Sequence, residues 1–391
     1  MYKHYIKCNS QFSLLMLPFN IPSIIEDWTK LRKAMIFSIP EQFNRNEWAY
    51  LISFLDAQNL HRIYHTLGKF TDNPEKEINF LILPRGITSL WLPNNISMLG
   101  PLMLIILSMS GNVVRIKTGS KSQDLVTAFI HFVNEHITDG QLKEYLNSKV
   151  RISSFDRTDQ RNIEMADESQ VRIVFGSNEA AHAIDCLPHP VNSIGIYFTD
   201  KQSQIWLDKD ALTEDTIDNI IKIFEIYGQA GCTSPRKLII IDGNEEDTLE
   251  LKNRIIKRWP KIILRKQAQH IASSNIMAKQ LGAVLGWDTE LTENNGAVIA
   301  AGNFKLPSFS SFMLLPIMFG SLEETVQNCP DNIQTIGHNF SKSKIDYILS
   351  KIQNIKAKRL VPISMMHDFG PIWDGYEFFR QLFEVIEVVY E

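Results

Sequence analysis

The sequence predicts an α/β fold with largely parallel sheets. Three observations carry this: apolar strand-like runs alternate with helical segments from Ile78 onward, the loops between them are short, and the composition is that of a globular chain. The chain has 391 residues, 44% hydrophobic and 21% charged, enough for two to three domains at roughly 150 residues each.

The first eighty residues read mostly as helix, with helical apolar spacing over Ile24–Met35 and Trp48–Leu67. Ile78–Leu83 is an apolar run closed by Pro84-Arg85-Gly86, hence a strand. Ser89–Pro93 precedes Asn94-Asn95. Ile96–Met109 reads as a buried helix interrupted by Gly100-Pro101, and Gly111-Asn112 stops it. Val113–Lys117 is the next strand, followed by a helix over Gln123–Glu135. Strands are then expected at Val171–Phe175, Ile194–Phe198, Gln204–Leu207 and Lys237–Ile241. The helices expected among them are Glu179–Asp185 and Thr213–Tyr227, the latter capped by Gly228. No repeat or low-complexity linker is visible, and the first boundary is placed near Asp200.

Charge and cysteines exclude several classes. Forty Lys+Arg against 44 Asp+Glu leave a formal charge of −4, which is no nucleic-acid footprint. Cys8, Cys186, Cys232 and Cys329 form no C-x-x-C pair, so neither structural zinc nor a disulfide framework is expected. No cleavage site follows the apolar Phe12–Phe19, and Ile96–Met109 is shorter than the ~18 apolar residues of a membrane span. A cytoplasmic protein without a metal is the expectation.

Four places could carry chemistry. Cys232 lies among small residues in Tyr227-Gly-Gln-Ala-Gly-Cys-Thr-Ser-Pro235, where a ligand can approach both sulfur and backbone. A free cysteine is more commonly a small buried hydrophobe. Asn94, between a strand and a helix, could donate an amide to an oxyanion; a cap or turn role is the commoner one. Lys117 ends a strand and could bind a ribose or phosphate, against the default of a surface lysine. Gly176-Ser177-Asn178 could offer N–H groups to a pyrophosphate, although no G-x-G-x-x-G fingerprint is present.

In order along the chain, these segments resemble the aldehyde dehydrogenase superfamily, and within it the LuxC-type acyl-CoA (fatty-acyl) reductases. Gln229-Ala-Gly-Cys-Thr-Ser-Pro-Arg236 is similar to the nucleophile segment, and Gly111-Asn-Val-Val-Arg-Ile-Lys117 to the cofactor strand. Asn94 precedes Lys117 by 23 positions, the superfamily's spacing, and Phe175-Gly-Ser-Asn-Glu179 is similar to the nicotinamide-side turn. Gln334-Thr-Ile-Gly337 and the stretch from Arg359-Leu-Val-Pro-Ile363 through Phe369-Gly-Pro-Ile-Trp-Asp-Gly375 resemble the reductase branch.

The resemblance implies two Rossmann-like parallel-sheet domains with the active site between them: 1–200 for the cofactor, 201–365 for the nucleophile, and 366–391 returning to the site or interface region. It implies reduction of an acyl thioester to the aldehyde through acyl-Cys232, with Asn94 and the Cys232 N–H holding the oxyanion. Lys117, Gly176 and Ser177 would bind the cofactor. The hydrolytic members' glutamate, 34 positions before the nucleophile, is replaced by Phe198, which disfavours hydrolysis to the acid. The ribose-gripping glutamate is not evident in Leu306–Met313. Ser120 and Lys121 stand where NAD-preferring members carry an acidic residue, which favours NADPH over NADH. His189, 43 positions before Cys232, is a candidate acid or base, with a plain loop histidine as the alternative. Expected partners are a fatty acyl-CoA, acyl-carrier or acyl-protein thioester, an acyl-protein synthetase, and further copies of the chain as a homo-oligomer. The alternatives are an NAD(P)-dependent aldehyde dehydrogenase and a non-catalytic docking subunit. The apolar runs Phe309–Phe319 and Phe378–Val389 would line an acyl tunnel or, more ordinarily, fill a core.

Overall fold

Helix caps and apolar periodicity set the early elements of the chain. In the computed structural model, residues 19–66, 78–119, 123–227, 229, 231–263, 269–351 and 357–389 are described. Ser120, Lys121, Gly228 and Cys8 lie outside them. Helix α1 (Ile21–Phe37) is capped by Asn20, α2 (Arg45–Phe54) by an Asn44–Glu47 capping box, and α3 (Ala57–Tyr64) by Asp56. They bury Trp28 and Trp48, and Trp28 stacks on Phe129 at 5.6 Å.

Strands β1 (Ile78–Pro84) and β2 (Ile87–Trp91) follow, then α4 (Leu99–Ser108) and β3 (Val113–Thr118). Helix α4 starts three residues later than the apolar run suggests. Pro101 sits in its first turn, where the missing N–H costs nothing, so the Gly-Pro pair opens the helix rather than interrupting it. Next come α5 (Leu125–His136), α6 (Gln141–Lys149), β4 (Val150–Ser154), α7 (Arg161–Asp167), β5 (Val171–Gly176), α8 (Asn178–Asp185) and β6 (Ile194–Thr199).

The chain divides after Thr199. The first unit holds residues up to Thr199 together with Gly370–Glu391, and the second is Asp200–Phe369. In the second unit lie β7 (Gln202–Asp208), α9 (Glu214–Glu225), β8 (Pro235–Ile241), α10 (Glu245–Ile262), α11 (Gln269–Val284), β9 (Asp288–Leu291) and β10 (Val298–Ala301). They are followed by β11 (Leu314–Gly320), α12 (Leu322–Gln327), β12 (Ile333–His338), α13 (Lys342–Lys351) and β13 (Arg359–Pro362). On its return the chain forms β14 (Ile372–Trp373), β15 (Tyr376–Glu377) and β16 (Phe383–Val389).

Among the described residues, the first unit carries a five-stranded parallel sheet in the order β4-β3-β2-β5-β6, and β1 pairs antiparallel with β16 from Ile78↔Val389 to Pro84↔Phe383. The chain starts this sheet at β2, builds outward to β4, then crosses back to β5. The reversal at β2/β5 is a topological switch point, and such points bind ligands at the carboxyl ends of the strands. The second unit carries a seven-stranded sheet, β13-β12-β7-β8-β11-β10-β9, parallel except for β9. Along β8 the side chains alternate: Leu238 and Ile240 pack with Ile205, Phe224 and Trp259, whereas Ile239 and Ile241 pack with Trp206 and Ile336. Both faces are buried, as a parallel sheet requires. Of the run Phe309–Phe319, expected to line a tunnel or fill a core, Leu314–Phe319 belongs to the largely buried strand β11 and Phe312 is exposed. Phe378, Phe379, Leu382 and Phe383 fill the first unit's core, whereas Val385, Ile386 and Val389 on β16 are exposed.

Candidate active site

Three of the expected positions come together at one edge of the first unit's sheet. Asn94 follows β2, Lys117 is the penultimate residue of β3, and Gly176-Ser177 closes β5, so all stand at the carboxyl ends of adjacent strands. Asn94 is exposed. Lys117 is half-buried, its ammonium 5.7 Å from the centroid of Phe155, whose ring also carries the Arg161 guanidinium at 4.4 Å. Burial lowers the Lys117 pKa, and the nearby Asp156 opposes that shift.

Beside Lys117 a cavity of about 260 Å³ is lined by Arg115, Arg151, Ser153, Phe155, Arg161 and Glu164, among others. Arg115 pairs with Glu168, and Arg161 takes both oxygens of Asp159 at 2.9 and 2.7 Å. Arg151 donates to the carbonyls of Asn147 and Val150. At the end of β5, Ser177 caps α8 by accepting the Ala180 N–H at 3.2 Å. A Cβ on Gly176 would come within 3.3 Å of the Ala180 Cβ, so glycine lets the first turn of α8 sit close to the end of β5. An ammonium and a helix N-terminus at one sheet edge suit the ribose and phosphates of a nicotinamide dinucleotide.

His189 is elsewhere. It precedes β6, at the amino end of the strands, with Nδ1 3.0 Å from Ser193 Oγ; Ser193 donates to Pro190 O at 2.6 Å and accepts from the buried Arg172. Within this unit it is therefore on the opposite edge from Asn94, Lys117 and Gly176, and it closes a turn.

The second unit presents Cys232 in the connection from α9 to β8. Its thiol is half-buried, and the residues around it are held tightly. Gln229 adopts a left-handed φ of 61° and is 1% exposed. Its amide donates to Pro235 O at 3.1 Å and Leu314 O at 2.6 Å and accepts the Leu314 N–H at 3.2 Å, tying the loop to β8 and β11. Ser203 on β7 donates to the Cys232 carbonyl at 2.8 Å. Thr233 Oγ1 lies 2.7 Å from His367 Nδ1, and His367 Nε2 lies 2.8 Å from Ile223 O, one of the last carbonyls of α9. Half-buried Arg236 carries a pKa lowered by burial and partly restored by Cys232, so guanidinium and thiolate attract.

His367 was not legible from spacing, since it lies 135 positions after Cys232. It is buried, and burial holds its pKa at about 4, so the ring is neutral. Arg359 fixes its backbone by donating to the carbonyls of Met365, Met366 and Asp368. Gly337 leaves room for Met366, whose sulfur a Cβ there would meet well inside van der Waals contact. The segments Gln334–Gly337 and Arg359–Phe369 thus form one support for the Cys232 loop. Among the described residues, no group of three or more His, Cys, Asp or Glu side chains could hold a metal ion, and no helix is long and apolar enough to cross a membrane.

Comparison with solved structures places this architecture in the aldehyde dehydrogenase class of α/β folds. An oxidoreductase from Marinobacter aquaeolei superposes with a TM-score of 0.69 at 12% identity, over 95% of this chain and 86% of its own. A mutant 1-pyrroline-5-carboxylate dehydrogenase from Thermus thermophilus gives 0.66 at 14% identity, over 96% and 82%. A mutant aldehyde dehydrogenase C from Pseudomonas syringae, complexed with NAD+ and octanal, gives 0.64 at 11% identity, over 94% and 84%. No curated protein sequence matches the chain. The family model of the LuxC acyl-CoA reductases matches residues 25–385, and the chain belongs to that family. It is accordingly an oxidoreductase of acyl groups and aldehydes.

Proposed function

We propose that the protein reduces an acyl thioester, such as a fatty acyl-CoA or an acyl-carrier or acyl-protein thioester, to its aldehyde with NADPH. The observation that carries this reading is the Cys232 thiol, half-buried on a loop anchored at Gln229, Ser203 and Thr233. The sulfur attacks the thioester carbonyl, the amide of Asn94 and the Cys232 N–H donate to the oxyanion, and the carrier thiol leaves acyl-Cys232 behind. One thioester replaces another, so the loop's contribution is orientation and oxyanion binding rather than driving force. Lys117, Gly176 and Ser177 hold the cofactor, which when bound supplies the hydride that releases the acyl group as aldehyde.

Phe198 supports reduction over hydrolysis. On β6 it is 5% exposed and stacks with Phe175 at 4.5 Å, and an aromatic ring cannot activate water. The arginines beside Lys117, together with Ser120 and Lys121 in the sequence, favour a cofactor with an extra phosphate.

The test is NADPH consumption with a fatty acyl-CoA by the wild type and Cys232→Ala, with the aldehyde trapped and identified. Thioester-dependent aldehyde formation that disappears in the variant is expected. Oxidation of aldehydes to acids without thioester turnover would refute the reading.

A further inference from the structure

We infer that His367 is a positioning residue for Cys232, joined to the nucleophile loop through Thr233. The inference rests on the acyl-cysteine reading above and adds a residue to it. Two contacts define the arrangement. The Ile223 carbonyl can only accept, so His367 Nε2 carries the proton there. The ring is neutral, so Nδ1 is an acceptor and the Thr233 hydroxyl donates to it. The chain of donors therefore runs in one direction, from Thr233 O–H through the imidazole to the end of α9.

Each part of that chain has a physical reason. Ile223 is in the last turn of α9, where carbonyls lack a helical partner, so the imidazole N–H satisfies a group that would otherwise need one. Thr233 and His367 are both about 5% exposed, so solvent does not compete for either contact. The Tyr227 ring packs edge-on against the imidazole, centroids 4.6 Å apart, and fixes its plane. Arg359 fixes the backbone of the segment that bears His367. Thr233 is the residue directly after the nucleophile, so restraining its side chain restrains the peptide whose N–H and sulfur face the thioester. Gln229 and Ser203 hold the approach to Cys232 and its carbonyl, and the Thr233–His367 contact holds the departure.

Side-chain lengths allow the two halves of the chain to be tested separately. Thr233→Val keeps the volume and removes the donor, whereas Thr233→Ser keeps the donor. His367→Asn places an amide where Nδ1 stands, and His367→Gln places one where Nε2 stands. Acyl-Cys232 formation from acyl-CoA without cofactor is followed by intact-mass spectrometry, and alkylation of Cys232 by iodoacetamide is followed by peptide mapping. A positioning role moves the two readouts oppositely in Thr233→Val: acylation slows roughly ten- to a hundredfold, and alkylation of the released sulfur speeds up severalfold. Thr233→Ser restores both, and the KM for NADPH in steady-state turnover is unchanged. His367→Asn retains more acylation than His367→Gln, because it keeps the Thr233 contact. Cys329, half-buried in the same unit, serves as the control for unfolding.

Wild-type acylation kinetics in Thr233→Val would overturn the inference. So would loss of acylation accompanied by faster labelling of Cys329, because the contact would then only hold the unit together. If the wild type itself does not acylate, the thioester reading fails, and the alkylation arm still decides: unchanged Cys232 alkylation in Thr233→Val and His367→Gln overturns the role of His367, and acceleration reversed by Thr233→Ser upholds it.

Discussion

His367 shows at the scale of a single residue how burial becomes a measurable property of the protein. Its folded pKa of about 4 lies below the 6.5 of an exposed histidine. Between those values the unfolded chain binds the proton and the folded chain does not. The contribution is therefore fully present above pH 6.5 and is lost as the pH falls towards 4. Denaturant titrations of wild type and His367→Gln should diverge over that window, the wild type losing on the order of 3 kcal/mol more on acidification. Parallel pH dependences would show that the ring is not buried neutral. Lys117 makes a different prediction. Lys117→Ala should raise the KM for NADPH by roughly ten- to a hundredfold while leaving cofactor-free acylation of Cys232 near the wild-type rate, because a lost charged hydrogen bond is worth about 1.5–3 kcal/mol. A slowed acylation would move Lys117 from cofactor binding to the nucleophile's side of the reaction.

Residue types at special places were legible in the sequence, and their supporting contacts were not. Cys232 stands out because small residues surround it, and Lys117 because it ends an apolar strand. Nothing local marks Gln229, Ser203, Thr233 or His367 as partners of the loop, since each acts on it from another element or across a turn.

At the scale of elements, strands flanked by turn residues were read correctly, and elements with weak patterns were passed over. Between the helix expected to end near Glu135 and the strand at Val171, the structure holds α6, β4 and α7, none of them expected from the sequence. Strand β4, Val-Arg-Ile-Ser-Ser, alternates polar and apolar side chains on a sheet edge, and α7 has only seven residues, too few for a helical period. The elements beyond Ile241 are likewise unexpected from the sequence, although α10 opens with an Asn244–Asp247 capping box. Helix α4 offers the sharpest test. A Cβ at Gly100 would overlap Val126 Cγ2 on α5, and both residues are buried. Gly100→Ala should therefore cost about 1–3 kcal/mol by overpacking despite alanine's better helix propensity. Val126→Ala in the same chain should recover part of it. A stabilised Gly100→Ala in thermal or denaturant melts would mean the two helices are not in that contact.

At the scale of the whole molecule, a contiguous second unit interrupts a discontinuous first one. The sequence places a boundary near Asp200, where the first set of strands is complete, and the chain divides after Thr199. The pairing of β16 with β1 that completes the first unit has no such mark, because pairing partners about 300 residues apart leave no periodic trace. Truncation after Phe369 would remove β16 and the buried Phe378, Phe379, Leu382 and Phe383. The first unit should then lose protection in amide exchange and be cut first in limited proteolysis, with Asp200–Phe369 outlasting it. Equal survival of both units would show that the returning segment is dispensable.

The β1–β16 pairing also fixes an order of events during synthesis. Strand β1 must wait for about 300 further residues before its partner exists, by which point every strand of the second unit's sheet is already made. Translation thus delivers the unit that bears Cys232 ready to fold first and leaves the first unit's apolar strand uncovered the longest. A slow stretch of codons or a premature stop between β13 and β16 would therefore expose β1 to chaperones and aggregation.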